Sequence, residues 1–133
     1  MNLLVGIDIQ PVDEVESSLN TFGSRYRRLL FTDRELETCG DNSTTSSRLA
    51  ARFAAKEAVL KILDIQDVVP SWRSIEVGGI SDCRPEVNLY DVAAELARQQ
   101  GIREVFVSFS RTGDVAVATV VASAGSQSGG VSQ

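Results

Sequence analysis

Two carboxylates in this chain sit where carboxylates are costly. Asp8 interrupts the apolar run Leu3-Leu4-Val5-Gly6-Ile7-Asp8-Ile9, and an acid inside such a strand needs a partner, a metal ion or a cleft at the sheet edge. Glu57 belongs to Arg52-Phe53-Ala54-Ala55-Lys56-Glu57-Ala58-Val59-Leu60-Lys61. On a helix, Phe53, Glu57 and Lys61 follow one another at four-residue spacing, which puts an acid and then an ammonium on the apolar side. Each acid also has a plainer reading. Asp8, near a strand end, can be a solvated acid. Glu57 with Lys61 can be a surface ion pair contributing a few tenths of a kcal/mol, with Arg52 and Lys56 supplying solvated charge.

The chain contains no histidine, which excludes imidazole acid–base catalysis, histidine metal sites and every serine–histidine–acid triad. Neither G-x-x-x-x-G-K-[ST] nor G-x-G-x-x-G occurs, so the usual nucleotide-binding loops are missing. Carboxylate, lysine, arginine and hydroxyl remain. Carboxylates without imidazole favour a hard ion such as magnesium, its shell completed by water and phosphate oxygen.

The elements that must position these groups follow from periodicity. Residues 3–9 read as a strand with Val5, Ile7 and Ile9 on one face and Leu4, Gly6 and Asp8 on the other. Pro11 ends it and can open a short helix over 12–20, with Val12, Val15 and Leu19 at helical spacing. Gly23 starts a basic loop, Arg25-Tyr26-Arg27-Arg28. Thr32 and Glu35 make a capping box for a helix over 33–39, stopped at Gly40. Residues 41–47 have no apolar content and predict a mobile loop ending in a helix cap.

The strongest helix spans 48–63, with Leu49, Phe53, Val59 or Leu60, and Leu63 inward and alanines at 50, 51, 54, 55 and 58 allowing close packing. A loop with Pro70 follows, then a strand over 72–80, a turn at 81–85 and a short strand marked by Val87 and Leu89. Asp91 caps a helix over 92–100 that stops at Gly101. Strands over 104–110 and 115–122 close the pattern, joined by a turn at Arg111-Thr112-Gly113-Asp114. The expectation is one α+β domain over 1–122, a long central helix packed on a largely antiparallel sheet, with a flexible polar tail over 123–133.

Composition fits a soluble single domain of 133 residues. The net charge of -5 is unevenly spread: residues 1–24 hold four acids and no base, whereas residues 25–61 hold eight bases against five acids. This local basic belt suits a phosphate-rich small molecule or a small acidic partner and is too limited for a nucleic-acid surface. No basic segment leads into an apolar one and no long apolar run occurs, so neither a secretory signal nor a membrane span is expected. Cys39 and Cys83 lie in no metal-type spacing and read as two reduced thiols.

Three blocks of this sequence together resemble the holo-acyl-carrier-protein synthase family of phosphopantetheinyl transferases. Gly6-Ile7-Asp8-Ile9 is similar to that family's opening strand, Arg52–Ala58 with Lys61 to its central helix, and Val107-Ser108-Phe109-Ser110 with the strand at 115–122 to its closing hairpin. Phe31-Thr32, Glu35, Trp72 to Val77 and Arg84-Pro85 fall where the family has similar elements, so the likeness covers residues 3–122. The resemblance implies a 4'-phosphopantetheinyl transferase-like fold and a cytoplasmic, homotrimeric enzyme of carrier-protein pathways such as fatty acid or polyketide synthesis. Its implied reaction is transfer of phosphopantetheine from coenzyme A to a serine of an acyl or peptidyl carrier protein. By the same token Asp8 and Glu57 would hold magnesium, Glu57 and Lys61 would be catalytic, and Arg52, Lys61, Ser110 and Arg111 would contact coenzyme A, with Arg25, Arg27 and Arg28 as candidate phosphate or carrier contacts. Two positions depart from the family: Arg111 stands where a histidine is usual, and Glu14 stands where an arginine often meets the acidic carrier. A non-catalytic relative used for binding or assembly is therefore the alternative reading.

Overall fold

A helix lined with alanine lets a sheet approach closely, and this spacing governs the molecule. The computed structural model describes residues 2–125, with only the backbone at Ile80. Helix α4 (Thr45–Ile62) lies across a three-stranded antiparallel sheet of order β1 (Asn2–Pro11), β5 (Val115–Ala124), β4 (Ile102–Arg111). Ala50, Ala51, Ala54, Ala55 and Ala58 are fully buried, and they pack in common clusters with the buried Ala116, Ala118 and Ala122 of β5. The closest approach is at Gly6, where an added Cβ would lie 2.3 Å from the Ala58 carbonyl oxygen. Any side chain there would push helix and strand apart. The sheet expected as one is thus two: β2 (Ile75–Ser81) and β3 (Arg84–Leu89) form a separate antiparallel hairpin.

The other helices fill the flanks. α1 (Val12–Phe22) buries Val12 and Val15, α3 (Asp33–Cys39) buries Glu35 and Cys39, and α5 (Asp91–Gln99) buries Ala93, Leu96 and Ala97. The capping box at Thr32 and Glu35 forms as expected, with the Glu35 N–H donating to Thr32 Oγ1 at 3.2 Å and the Thr32 N–H to Glu35 Oε1 at 2.8 Å. Several local expectations need correction. The basic loop after Gly23 is helix α2 (Ser24–Leu30), because Gly23 at φ 57° lets the chain leave α1 and enter a new helix at once while Leu30 goes into the core. The polar stretch before α4 is held down rather than mobile: Thr45 Oγ1 accepts from the Asn42 N–H at 2.9 Å and donates to the Cys39 carbonyl at 3.1 Å, so α4 begins at Thr45 rather than at 48.

Trp72–Ser74 is a 3-10 turn with the Ser74 hydroxyl bonded to the Ser71 carbonyl, so the strand starts at Ile75. Asp91 is the first residue of α5 at φ 49° and makes no cap; the N-cap is Tyr90, also without a side-chain bond. Ser123 and Ala124 belong to β5, and residues 126–133 of the expected tail lie outside the described residues.

The largest correction concerns charge. Arg52 and Lys56, solvated charge in the plainer reading of this helix, are among the most deeply buried side chains. With Arg48 they share a second face of α4, which meets α3, β2 and the 81–83 turn instead of water. Lys56 Nζ lies 2.8 Å from Glu35 Oε1 and donates to the carbonyls of Trp72, at 2.9 Å, and of Ile75. Glu35 Oε2 in turn accepts the Val77 N–H at 2.7 Å. A buried ion pair is tolerated when its remaining donors and acceptors are also satisfied, and here they tie α4 to α3 and β2. In contrast, the outer face of the three-stranded sheet is uncovered, with Leu3, Val5, Ile7 and Ile9 of β1 and Phe106 of β4 exposed.

Candidate active site

The close approach at Gly6 sets the site. Residues of a strand alternate faces, so Asp8 points the same way as Gly6 and meets α4 just beyond the Ala58 contact. Lys61 Nζ donates to Asp8 Oδ1 at 3.0 Å and to the Ile7 carbonyl at 2.7 Å, clamping helix to strand at the rim. The surface pair with Glu57 that the spacing allowed is not what forms: Lys61 gives its ion pair to Asp8. Glu57 is half-buried, and its carboxyl is pushed above the usual range first by that burial and then by the negative charge of Asp8, with Lys61 opposing and Glu14 adding to the rise. Two carboxylates thus face one opening and repel each other.

Tyr26 of α2 stands in the same field. Burial first, then the charges of Glu14 and Glu57, raise its phenol to about 12, so it remains a hydroxyl donor at neutral pH. Neither Tyr26 nor Glu14 was readable as part of this opening, because their approach depends on how α1 and α2 fold back against α4. Among the described residues no group of three His, Cys, Asp or Glu side chains could hold a metal ion. The two-carboxylate set still fits magnesium, which keeps several waters and takes phosphate oxygen rather than demanding an all-protein cage.

A second charged cluster lies at the start of α4. Arg48 grips Asp82 through Nε at 3.0 Å and Nη2 at 3.1 Å, while Arg52 Nη2 reaches the same carboxylate at 2.7 Å. Arg111 Nη1 donates to Ser47 Oγ at 2.8 Å, and its Nη2 is 3.7 Å from Asp82. Of the residues expected to contact coenzyme A, Arg52 and Arg111 therefore come together, Lys61 joins Asp8, and Ser110 does not join either group. Ser110 alternates with Arg111 on β4 and is exposed on the outer sheet face. Arg48 and Asp82 escaped the sequence reading. The four-residue spacing of Arg48, Arg52 and Lys56 was a usable signal for the first, whereas nothing local marks Asp82. Cys39 is buried and Cys83 exposed, both as free thiols, and burial raises the Cys39 thiol to about 11 despite the nearby Arg52 and Arg48, leaving it unreactive.

The family model of the 4'-phosphopantetheinyl transferase superfamily matches residues 4–120 of this chain. The chain belongs to that superfamily. A holo-[acyl-carrier-protein] synthase of Herpetosiphon aurantiacus is 34% identical over 126 residues, covering 90% of this chain and 97% of its own. One from Dehalococcoides mccartyi is 38% identical over 120 residues, covering 90% and 98%. Among solved structures, a Chronobacterium ammoniagenes ACPS–CoA complex superposes with a TM-score of 0.81 at 26% identity, covering 95% of this chain and all of that one. The holo-[acyl-carrier-protein] synthase of Helicobacter pylori in complex with coenzyme A gives 0.77 at 26%, covering 90% and 100%. The α+β fold is that of these phosphopantetheinyl transferases, and the chain is a transferase of the holo-[acyl-carrier-protein] synthase type. No helix among the described residues is long and apolar enough to cross a membrane.

Proposed function

We propose that the chain transfers the phosphopantetheine arm of coenzyme A to a serine of an apo acyl or peptidyl carrier protein, releasing adenosine 3',5'-bisphosphate. The observation that carries this is the convergence of Asp8, Glu57 and Lys61 on one opening, in a fold whose relatives are described in complex with coenzyme A. The serine oxygen forms a bond to the phosphorus next to the pantetheine arm as the bond from that phosphorus to the leaving bisphosphate breaks. Asp8 and Glu57 are the residues that would hold magnesium, and the ion would supply positive charge to offset that on the pyrophosphate oxygens. Lys61 spends two of its three N–H donors on Asp8 and the Ile7 carbonyl, leaving one to stabilise charge on a phosphate oxygen. The serine proton goes to Glu57 or to a water that the ion would hold beside it.

Carrier docking belongs to α2. Phe22, Arg25, Tyr26, Leu29 and Leu30 line a groove there, with Phe22 and Leu29 exposed, and Arg27 and Arg28 extend its positive charge. Glu14, near Glu57 and Tyr26, serves the opening rather than the docking face. The apolar outer face of β1, with Leu3, Val5, Ile7 and Ile9, is the surface on which copies assemble into a trimer.

Incubating the protein with magnesium, coenzyme A and a panel of apo carriers tests the reaction. One carrier gains the mass of the phosphopantetheine arm, and Asp8→Ala or Glu57→Ala removes the gain together with magnesium-coupled coenzyme A binding. Absence of both modification and binding across the panel supports a non-catalytic relative instead. Light scattering of the purified chain gives a trimer mass, and a monomer at micromolar concentration rejects the assembly.

A further inference from the structure

Helix α4 carries Glu57 and Lys61, yet it ends without the stop that its neighbours use. α1 and α3 each run into a glycine whose N–H returns to the helix, Gly23 to the Leu19 carbonyl at 2.9 Å and Gly40 to the Leu36 carbonyl at 3.0 Å. α4 breaks at Leu63, which is extended at φ -87° and ψ 137°. Among the described residues no backbone N–H beyond Ile62 returns to its last turn. The last carbonyls of a helix need donors from elsewhere. One comes from α5: Gln100 Nε2 donates to the Ile62 carbonyl at 3.0 Å, across 38 residues of chain. The Oε1 of the same side chain accepts the Asp64 N–H at 2.6 Å. One amide thus satisfies an acceptor that α4 leaves open and a donor of the chain that leaves it.

Gln100 has a firm seat. It is the C-cap of α5, its N–H bonded to the Leu96 carbonyl at 3.1 Å, and Ala93, Leu96 and Ala97 anchor that helix in the core. The next residue, Gly101, has φ 72°, and its carbonyl accepts the Gly125 N–H just past β5 at 2.8 Å. On the other side Ile62 is buried against β1: its Cγ2 would lie 3.2 Å from a Cβ at Gly6, two residues before Asp8. Lys61 precedes Ile62, and both of its side-chain bonds, to the Ile7 carbonyl and to Asp8, are made to that strand. An exposed lysine on a long flexible stem keeps a fixed pair of acceptors only if its backbone root is fixed. The root of Lys61 is the turn that Gln100 closes.

We propose that Gln100 is a positioning residue for the transfer: its amide caps α4 and, through Ile62, holds Lys61 in line with Asp8. It rests on the reading that Lys61 stabilises charge on the phosphate of the transferred group. Gln100 bonds the backbone of Ile62 and Asp64 rather than Asp8, Glu57 or Lys61, so its effect on the chemistry passes through the last turn of α4. A glycine stop would close α4 without reference to any other element. The amide instead ties the rim of the opening to α5, which brings none of the site residues itself.

Gln100→Met keeps the length of the side chain and removes both bonds. Gln100→Glu keeps the acceptor for Asp64 and removes the donor to Ile62. With magnesium, coenzyme A and an apo carrier that the wild type modifies, both variants lower kcat about tenfold and leave KM for coenzyme A within about twofold. In a Lys61→Met background the same substitutions cost less than about twofold, because the group they misplace is gone. Equal losses in the two backgrounds overturn the proposal, since a purely structural role gives that result. Wild-type turnover in Gln100→Glu also overturns it, by assigning the effect to the segment after α4.

Acylation of Lys61 tests the cap without turnover. Lys56 and Lys61 are the only lysines, and Lys56 is buried, so a water-soluble succinimidyl ester of acetic acid, read in the peptide that holds Lys61, reports on that residue. Its rate rises about threefold or more in both variants as Lys61 leaves Asp8. An unchanged rate overturns the proposal. If no carrier is modified by any of these proteins, the assigned reaction fails, and the labelling still decides whether Gln100 holds Lys61. Should Gln100→Met not fold, Gln100→Glu carries every arm.

Discussion

Lys56 and Lys61 stand five residues apart on α4, each against an acid. Lys56 is 2.8 Å from Glu35 with both side chains at 0% exposure, and it donates to two backbone carbonyls besides. Lys61 is 3.0 Å from Asp8, but 53% of its side chain is exposed and a second carboxylate, Glu57, faces the same opening. The first pair is sealed with its donors used up, and it does structural work. The second has an excess of negative charge, an uncommitted donor and access to solvent, which are the conditions for binding a cation and a phosphate. One helix thus carries both kinds of charge pair, and their difference lies in satisfaction rather than residue type.

Substitutions at the two lysines and their acids separate these roles. Lys56→Ala leaves Glu35 charged and unpaired in the core, and is expected to cost about 3–5 kcal/mol in urea unfolding. If it costs under about 1 kcal/mol, the pair is not a structural pin. Asp8→Ala and Glu57→Gln are expected to do the reverse, lowering transfer on the order of a thousandfold with little change in unfolding midpoint. A matching loss of stability in either variant would erase the contrast between the pairs. Gly6→Ala joins the two effects, because its Cβ meets the Ala58 carbonyl. It is expected to lose about 1–3 kcal/mol and, by moving α4 from β1, to weaken magnesium-coupled coenzyme A binding as well.

The same contrast explains what the sequence could reveal. The α4 pattern, the capping box and the two-face alternation of β1 were legible because each depends on residues close to one another in the chain, whereas which face of β1 turns inward was not, since its more apolar face, with Val5, Ile7 and Ile9, is the exposed one. Asp8 and Glu57 stood out because an acid among apolar neighbours is locally anomalous. The plainer reading of Arg52 and Lys56 as solvated charge fails for a complementary reason. Their partners Asp82 and Glu35 are distant in the chain, so their burial follows from tertiary contacts with no local signature. Asp82 itself looks like an ordinary turn residue until the hairpin carries it to α4. The split into two sheets was hidden in the same way, since strand pairing is set by long-range register.

Acidity sharpens the comparison with a smaller effect. Glu57 has a carboxyl raised by burial and by Asp8, so between the ordinary and the raised pKa the folded, metal-free protein binds more protons than the unfolded chain. Its stability should therefore fall slightly as pH rises through that window. Magnesium needs the ionised form, so metal-coupled coenzyme A affinity should decline on acidification starting above the usual carboxylate range. Titrations across mildly acidic pH check both slopes, and Glu57→Gln should abolish the stability slope. Persistence of that slope in the variant would assign it to another group.

The smallest expected effect is at Arg111, at the end of β4. Arg111 bonds Ser47, but its 3.7 Å approach to Asp82 is the longest of the three arginine contacts, and it is more exposed than Arg52. A histidine at this position still offers a donor, loses most of the charge at neutral pH, and leaves Arg48 and Arg52 in place. Arg111→His is therefore expected to keep transfer within about threefold, less than about 0.7 kcal/mol by the rate relation. Its sensitivity to pH should rise near neutrality as the imidazole titrates. A loss beyond about thirtyfold would mean that the fork of Arg111 itself, and not the shared charge of the cluster, grips the substrate, and it would move the weight of the site from α4 to the end of β4.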